Sequence, residues 1–118
     1  MRIWKFGLAA ALVATSVQAQ EITREGADEL MEWCQRDRAQ KIAPLKAEAI
    51  EKCVAESGFD RESCERRNRH FGEVRQGADG TVPGLFWDSE LCLEALDAKR
   101  YFRRNPRATT YTPGVTRG

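Results

Sequence analysis

This chain lacks an apolar run of membrane-spanning length. The apolar stretch at residues 6–17 holds 12 residues, whereas a spanning helix needs roughly 20. It also lacks closely spaced cysteines: no two of the four, Cys34, Cys53, Cys64 and Cys92, are nearer than 11 positions. That spacing excludes the Cys-x2-Cys pairs of zinc ribbons, the Cys-x-x-Cys of thioredoxin-like centres and Cys-x-x-Cys-His haem attachment. No metal and no cofactor are therefore expected. A single histidine, His70, leaves little acid–base chemistry near neutral pH. A catalytic histidine needs a nucleophile or an orienting acid, and the sequence places neither beside it. His70 reads as a solvent-facing helix residue. Carboxylates such as Glu48, Glu51 and Glu56 are spread along a helical stretch as solvating and i,i+4 partners, and carry no catalytic signal. There is no internal repeat and no convincing alternation of apolar and polar residues, so a β-sheet is not expected.

The first 19 residues have the three parts of a secretory signal. Arg2 and Lys5 open the chain, the apolar run follows, and Val17-Gln18-Ala19 supplies a small-residue exit. No twin arginine precedes the run and no cysteine directly follows Ala19, the nearest being Cys34, which points to the general export route without a lipid anchor. Residues 1–19 are thus expected to be removed, leaving no transmembrane anchor and a chain that starts at Gln20. Without them the chain is an acidic body with a basic end: residues 20–98 carry a net charge of −7, and no acid occurs from Lys99 onward. Such asymmetry biases contact with anionic surfaces. An even cysteine count in a short exported chain predicts disulfides, which supplement the modest core of a 99-residue domain. The expected location is a bacterial periplasm or the exterior.

Helical composition dominates. Residues 23–57 are rich in Ala, Glu, Lys, Arg, Gln and Leu, and Leu30, Cys34, Ile42, Leu45, Ala49 and Cys53 recur on one face. Pro44 interrupts this stretch without a capping residue before it, so one kinked helix is favoured over two. Gly58 stops it, Asp60 caps a second helix to Phe71, and Gly72 ends that one. Residues 76–84 read as a turn-rich connector. Leu85-Phe86-Trp87 forms an apolar anchor before a third helix at residues 89–102. The Thr, Pro, Gly and Arg content of residues 105–118 predicts a flexible tail. Trp33, Phe59, Phe71, Phe86 and Trp87 are the expected core aromatics. The expected fold is all-α: a small disulfide-stapled bundle of three to four helices, with a helical hairpin around residues 57–60. One domain at 20–104 lies between the signal peptide and the tail.

Helix geometry ranks the pairings. Cys34 and Cys53 on one helix would stand roughly 28 Å apart, at about 1.5 Å per residue, against ~6 Å between disulfide Cα atoms. Cys53 and Cys64 become level when the chain folds back at Gly58-Phe59, which leaves Cys34 for Cys92.

The most distinctive segment is Lys99-Arg100-Tyr101-Phe102-Arg103-Arg104-Asn105-Pro106-Arg107. Its cations and rings make Lys99, Arg100, Tyr101, Phe102, Arg103, Arg104 and Arg107 candidate anion-binding residues. The simpler account is that cations complement the helix C-terminus while Phe102 packs on the core. The leading functional expectation is a non-catalytic binding or structural accessory of the cell envelope, acting on an unidentified protein partner. The alternative is a binder of anionic lipid, lipopolysaccharide or nucleic acid through residues 99–107. An enzyme of unknown class is the third reading.

Overall fold

The computed structural model describes residues 20–114; the segment read as a signal peptide, and residues 115–118, lie outside them. The described chain is mostly helical. A long helix, α1 (Arg24–Ser57), acts as a spine, followed by α2 (Arg61–Arg67) and α3 (Glu90–Arg104). Four short strands complete it: β1 (Ile22–Thr23), β2 (Arg75–Gly77), β3 (Gly80–Val82) and β4 (Thr110–Tyr111). They form two antiparallel pairs, β1 with β4 and β2 with β3.

Thr23 caps α1, its Oγ1 accepting the Gly26 N–H at 3.0 Å. The helix continues through Pro44 as one element and ends where Gly58 takes the left-handed conformation (φ 76°). Successive stretches of α1 hold different partners. Its first turns pack on α3 through small residues: Ala27 meets Ala98 and Phe102, while Cys34 meets Cys92 and Ala95. Small side chains let the two helices approach closely, and the bond between Cys34 and Cys92 covalently closes the contact. Near its other end, the bond between Cys53 and Cys64 ties α1 to α2. Glu51 adds an ion pair to Arg61 at 2.6 Å, and this guanidinium holds the Glu51 carboxyl below its ordinary range. These are the two pairs that the helical spacing selects.

Four expectations need correction. The second helix does not reach Phe71. It stops at Arg67. The Asn68 N–H still makes an i→i−4 bond to the Cys64 carbonyl (3.1 Å), to which its side-chain Nδ2 also donates (2.8 Å). Beyond it the bonds tighten to i→i−3, Arg69 N–H to Arg66 and Phe71 N–H to Asn68, and the chain runs on as turns. The turn-rich connector expected at residues 76–84 is ordered as a β-hairpin over residues 75–82. Gly77 pairs with Gly80 across Ala78-Asp79, whose φ values are not positive, and the positive φ falls on Gly80 just after them (115°), as in a type I turn followed by a glycine bulge. Strands of two or three residues are too short to show alternation, which is why no sheet was legible. Residues 105–112 are not a free tail either. Arg24 donates to the carbonyls of Asn105, Pro106 and Ala108, β4 pairs Tyr111 with Ile22, and Tyr111 is buried. Finally, the aromatic core differs. Trp33 and Phe59 are 47 % and 43 % exposed, and Phe71, Phe86 and Trp87 only half-buried, whereas Phe102 and Tyr111 are buried with Ala27 and Ala98.

With a core built mainly of alanines and half-cystines, the cross-links matter for stability. Replacing Cys34 and Cys92 together by alanine is expected to cost about 4 kcal/mol, and replacing Cys53 and Cys64 about 3, from the entropy of the loops they close. Urea denaturation of the two double variants measures both, and equal losses would contradict the loop-length account.

Candidate functional site

Between its contacts with α3 and α2, the face of α1 carrying Gln35, Arg38, Ile42 and Lys46 receives the irregular chain from residue 69 to 87. Arg38 is the centre of this contact. It is 1 % exposed, the only buried charged side chain among the described residues. Its Nε donates to the Leu85 carbonyl (2.7 Å), its Nη2 to the Gly72 carbonyl (3.1 Å) and its Nη1 to Gln35 Oε1 (2.6 Å). Glu73 Oε2 lies 3.5 Å away, and the guanidinium sits 4.1 Å from the centroid of the Trp87 ring. Hydrogen bonds from a charged donor contribute about 1.5–3 kcal/mol each, and a desolvated cation over Trp roughly 2. These offset the desolvation of the guanidinium.

The backbone around this cation is shaped to meet it. Gly72 has φ 85°, and a Cβ there would stand 2.9 Å from Ile42 Cδ1. At Gly84 a Cβ would meet Trp87 Nε1 at 2.9 Å and Arg38 Nη2 at 3.0 Å. Phe86 takes a left-handed φ of 62°, sparsely populated for a non-glycine residue, between the carbonyl and the ring that grip Arg38. The Leu85 N–H also donates to the Gly72 carbonyl at 2.8 Å, closing the 72–85 loop at its base.

That closure frames an open groove of about 440 Å³ on the outer side of the loop. Phe71, Val74, Val82, Pro83 and Leu85 give it apolar walls. Arg67, His70, Glu73 and Arg75 are its charged or titratable lining residues. Arg75 and Val82 are opposite each other in the hairpin register, so they share a face. Val74 is 64 % exposed, and Val82 and Leu85 are also exposed. A neighbouring recess, lined by Arg67, Phe59 and Cys53, lies at the α1–α2 corner. There the Arg67 guanidinium lies 3.9 Å from the Phe59 ring centroid.

The residues singled out from sequence are distributed differently. His70 is exposed, as expected, but on a turn rather than a helix. Of the basic segment, Phe102 is buried and Tyr101 packs against it and Tyr111. Lys99 pairs with Asp28, and Arg100 reaches Asp97 at 3.8 Å. Arg103, Arg104 and Arg107 are exposed. The segment therefore keeps cations at its surface while its rings belong to the core. Arg24, Lys99 and Arg103 line a shallow recess with Asp28 and Phe102. Among the described residues no three His, Cys, Asp or Glu side chains are placed to hold a metal ion, and no helix is long and apolar enough to cross a membrane.

Sequence reasoning missed Arg38. A signal for it exists: Leu30, Cys34 and Ile42 mark a stripe in steps of four with one step vacant, and Arg38 fills it. A cation there reads as solvated unless the carbonyls that receive it are known. Replacing Arg38 by methionine keeps much of its volume but leaves the Leu85 carbonyl without its donor. The expected loss is about 3 kcal/mol in urea denaturation, with the 69–87 amides losing hydrogen-exchange protection before those of α1 and α3. A uniform loss across the chain would count against a local clamp. Comparison of the chain with protein-family models, with characterised proteins and with solved structures gives no match.

Proposed function

We propose that this is an exported, non-catalytic binding protein of the cell envelope, periplasmic or secreted, that docks another protein in the groove at residues 67–85. The observation that carries this reading is the exposed apolar lining, Val74, Val82 and Leu85, held in place by the Arg38 contacts and the closed loop base. Apolar residues gathered on a rigid, concave surface are a common feature of recognition sites. Two disulfides are compatible with an oxidising compartment, and they agree with the export signal read at residues 1–19. The test is a photo-crosslinking residue at Val82 or at Ala39 on the exposed face of α1, in the full chain produced in its native host. A discrete adduct from position 82, absent from position 39 and reduced tenfold or more by Leu85→Asp, is expected. Adducts of equal yield from both positions, or none from 82, would defeat the docking reading.

A second reading is supported by the surface cations at the end of α3. Arg103, Arg104 and Arg107 are exposed around the recess of Arg24 and Lys99, and could hold an anionic polymer or lipid head group by charge. Because Tyr101 and Phe102 are engaged in packing, ring stacking or insertion has no part in it. Replacing the three arginines by glutamine preserves the core, which truncation at Lys99 would destroy. If this reading holds, the triple variant elutes from heparin at markedly lower salt than the parent. Coincident elution would remove it.

A further inference from the structure

We infer that the segment received by the groove is an acidic stretch of a partner protein carrying one apolar anchor side chain. This rests on the reading of the groove as a docking surface. Three features of the molecule select that partner chemistry.

The first is where the charge lies. Residues 20–98 have a net charge of −7, yet residues 66–75 within them have a net of +3. The groove is thus set in a cationic island on an acidic body. The only carboxylate among its lining residues, Glu73, faces the buried Arg38 guanidinium at 3.5 Å, so part of its field is already offset. Arg66 on the same segment is paired with Glu62, but Arg75 has no carboxylate within ion-pair distance among the described residues. An acidic segment finds its counter-charges here; a basic one is repelled.

The second is the orientation of Arg67. Its guanidinium lies over the Phe59 ring, 3.9 Å from the centroid, which restrains the side chain. Arg67 is exposed where the groove meets the neighbouring recess, so its N–H donors are accessible to a carboxylate. A restrained donor loses less entropy on binding than a freely rotating one. The third is the recess itself. Phe71 is half-buried and Val82 and Leu85 line the walls, a form that admits a side chain. An anionic bilayer is met by a protruding apolar face or an amphipathic helix instead, so the concave form favours a polypeptide over a membrane.

The proposal is tested with a displayed library of random 12-residue peptides, selected on the full protein and counter-selected on Val82→Asp. Recovered peptides are expected to place Asp or Glu on either side of an aliphatic or aromatic residue. The best of them should bind at least tenfold more weakly, by fluorescence anisotropy, to the Arg67→Gln, Arg75→Gln double variant. Its affinity should also fall between 50 and 300 mM salt. Peptides enriched in Lys or Arg, or in neither sign, would overturn the acidic assignment while leaving the groove a docking surface. Failure to recover any Val82-dependent peptide would overturn the docking reading as well. Binding to phosphatidylglycerol vesicles, lost in Val82→Asp, without peptide binding would reassign the site to a membrane. Salt-sensitive dimerisation abolished by Val82→Asp would reassign it to a second copy of this chain. Both reassignments overturn the proposal.

Discussion

The contact between the Arg38 guanidinium and the carbonyls of Leu85 and Gly72 is the constraint on which the surface of this protein depends. The chain between α2 and α3 has few means of its own to hold a shape. It contains two three-residue strands, several turns and little buried apolar area. A two-stranded hairpin is marginal in water without something to pack on. Here a cation on the spine helix reaches out and satisfies the backbone of the loop at its two ends. The loop then closes by the Leu85 to Gly72 hydrogen bond, and Trp87 covers the guanidinium from water. The groove is the outer surface of that arrangement, so its form is coupled to a buried polar contact rather than to a hydrophobic core.

That dependence follows from how little core there is. The buried set is mainly alanine and half-cystine, with Ile42, Phe102 and Tyr111 as its larger apolar members. Alanines bring α1 and α3 close but gain little from burial per residue. A domain with this balance draws on other sources of stability: two covalent links, a buried arginine, and Arg24 gripping three carbonyls of the segment after α3. Each acts on the chain backbone or its loops. They fasten the irregular parts to the helices, where side-chain packing alone would leave them loose.

Some of this is legible in the sequence because it is local. Thr23, Asp60 and Ser89 cap their helices through side-chain oxygens, and Gly58 ends α1, all from short-range rules. Cys53 and Cys64 face each other because helical rise and a turn leave them no other geometry. What escaped were features whose cause is distant in sequence. Tyr111 is buried because Ile22, 89 residues earlier, offers a strand edge that lays it against Ala27, Ala98 and Phe102. The rings of the 99–107 segment look available until α1 is laid against them. Arg38 looks like a surface cation until residues 72 and 85 arrive.

From its amino acids alone, this chain determined a helical polypeptide with one favoured cysteine pairing, since periodicity, capping and covalent reach act over a few turns. Tertiary structure alone decided which polar groups would be buried and which apolar groups would face water. Burial is a property of juxtaposition: Trp33 stays exposed and Arg38 vanishes into the interior because their partners, not their own chemistry, set the outcome.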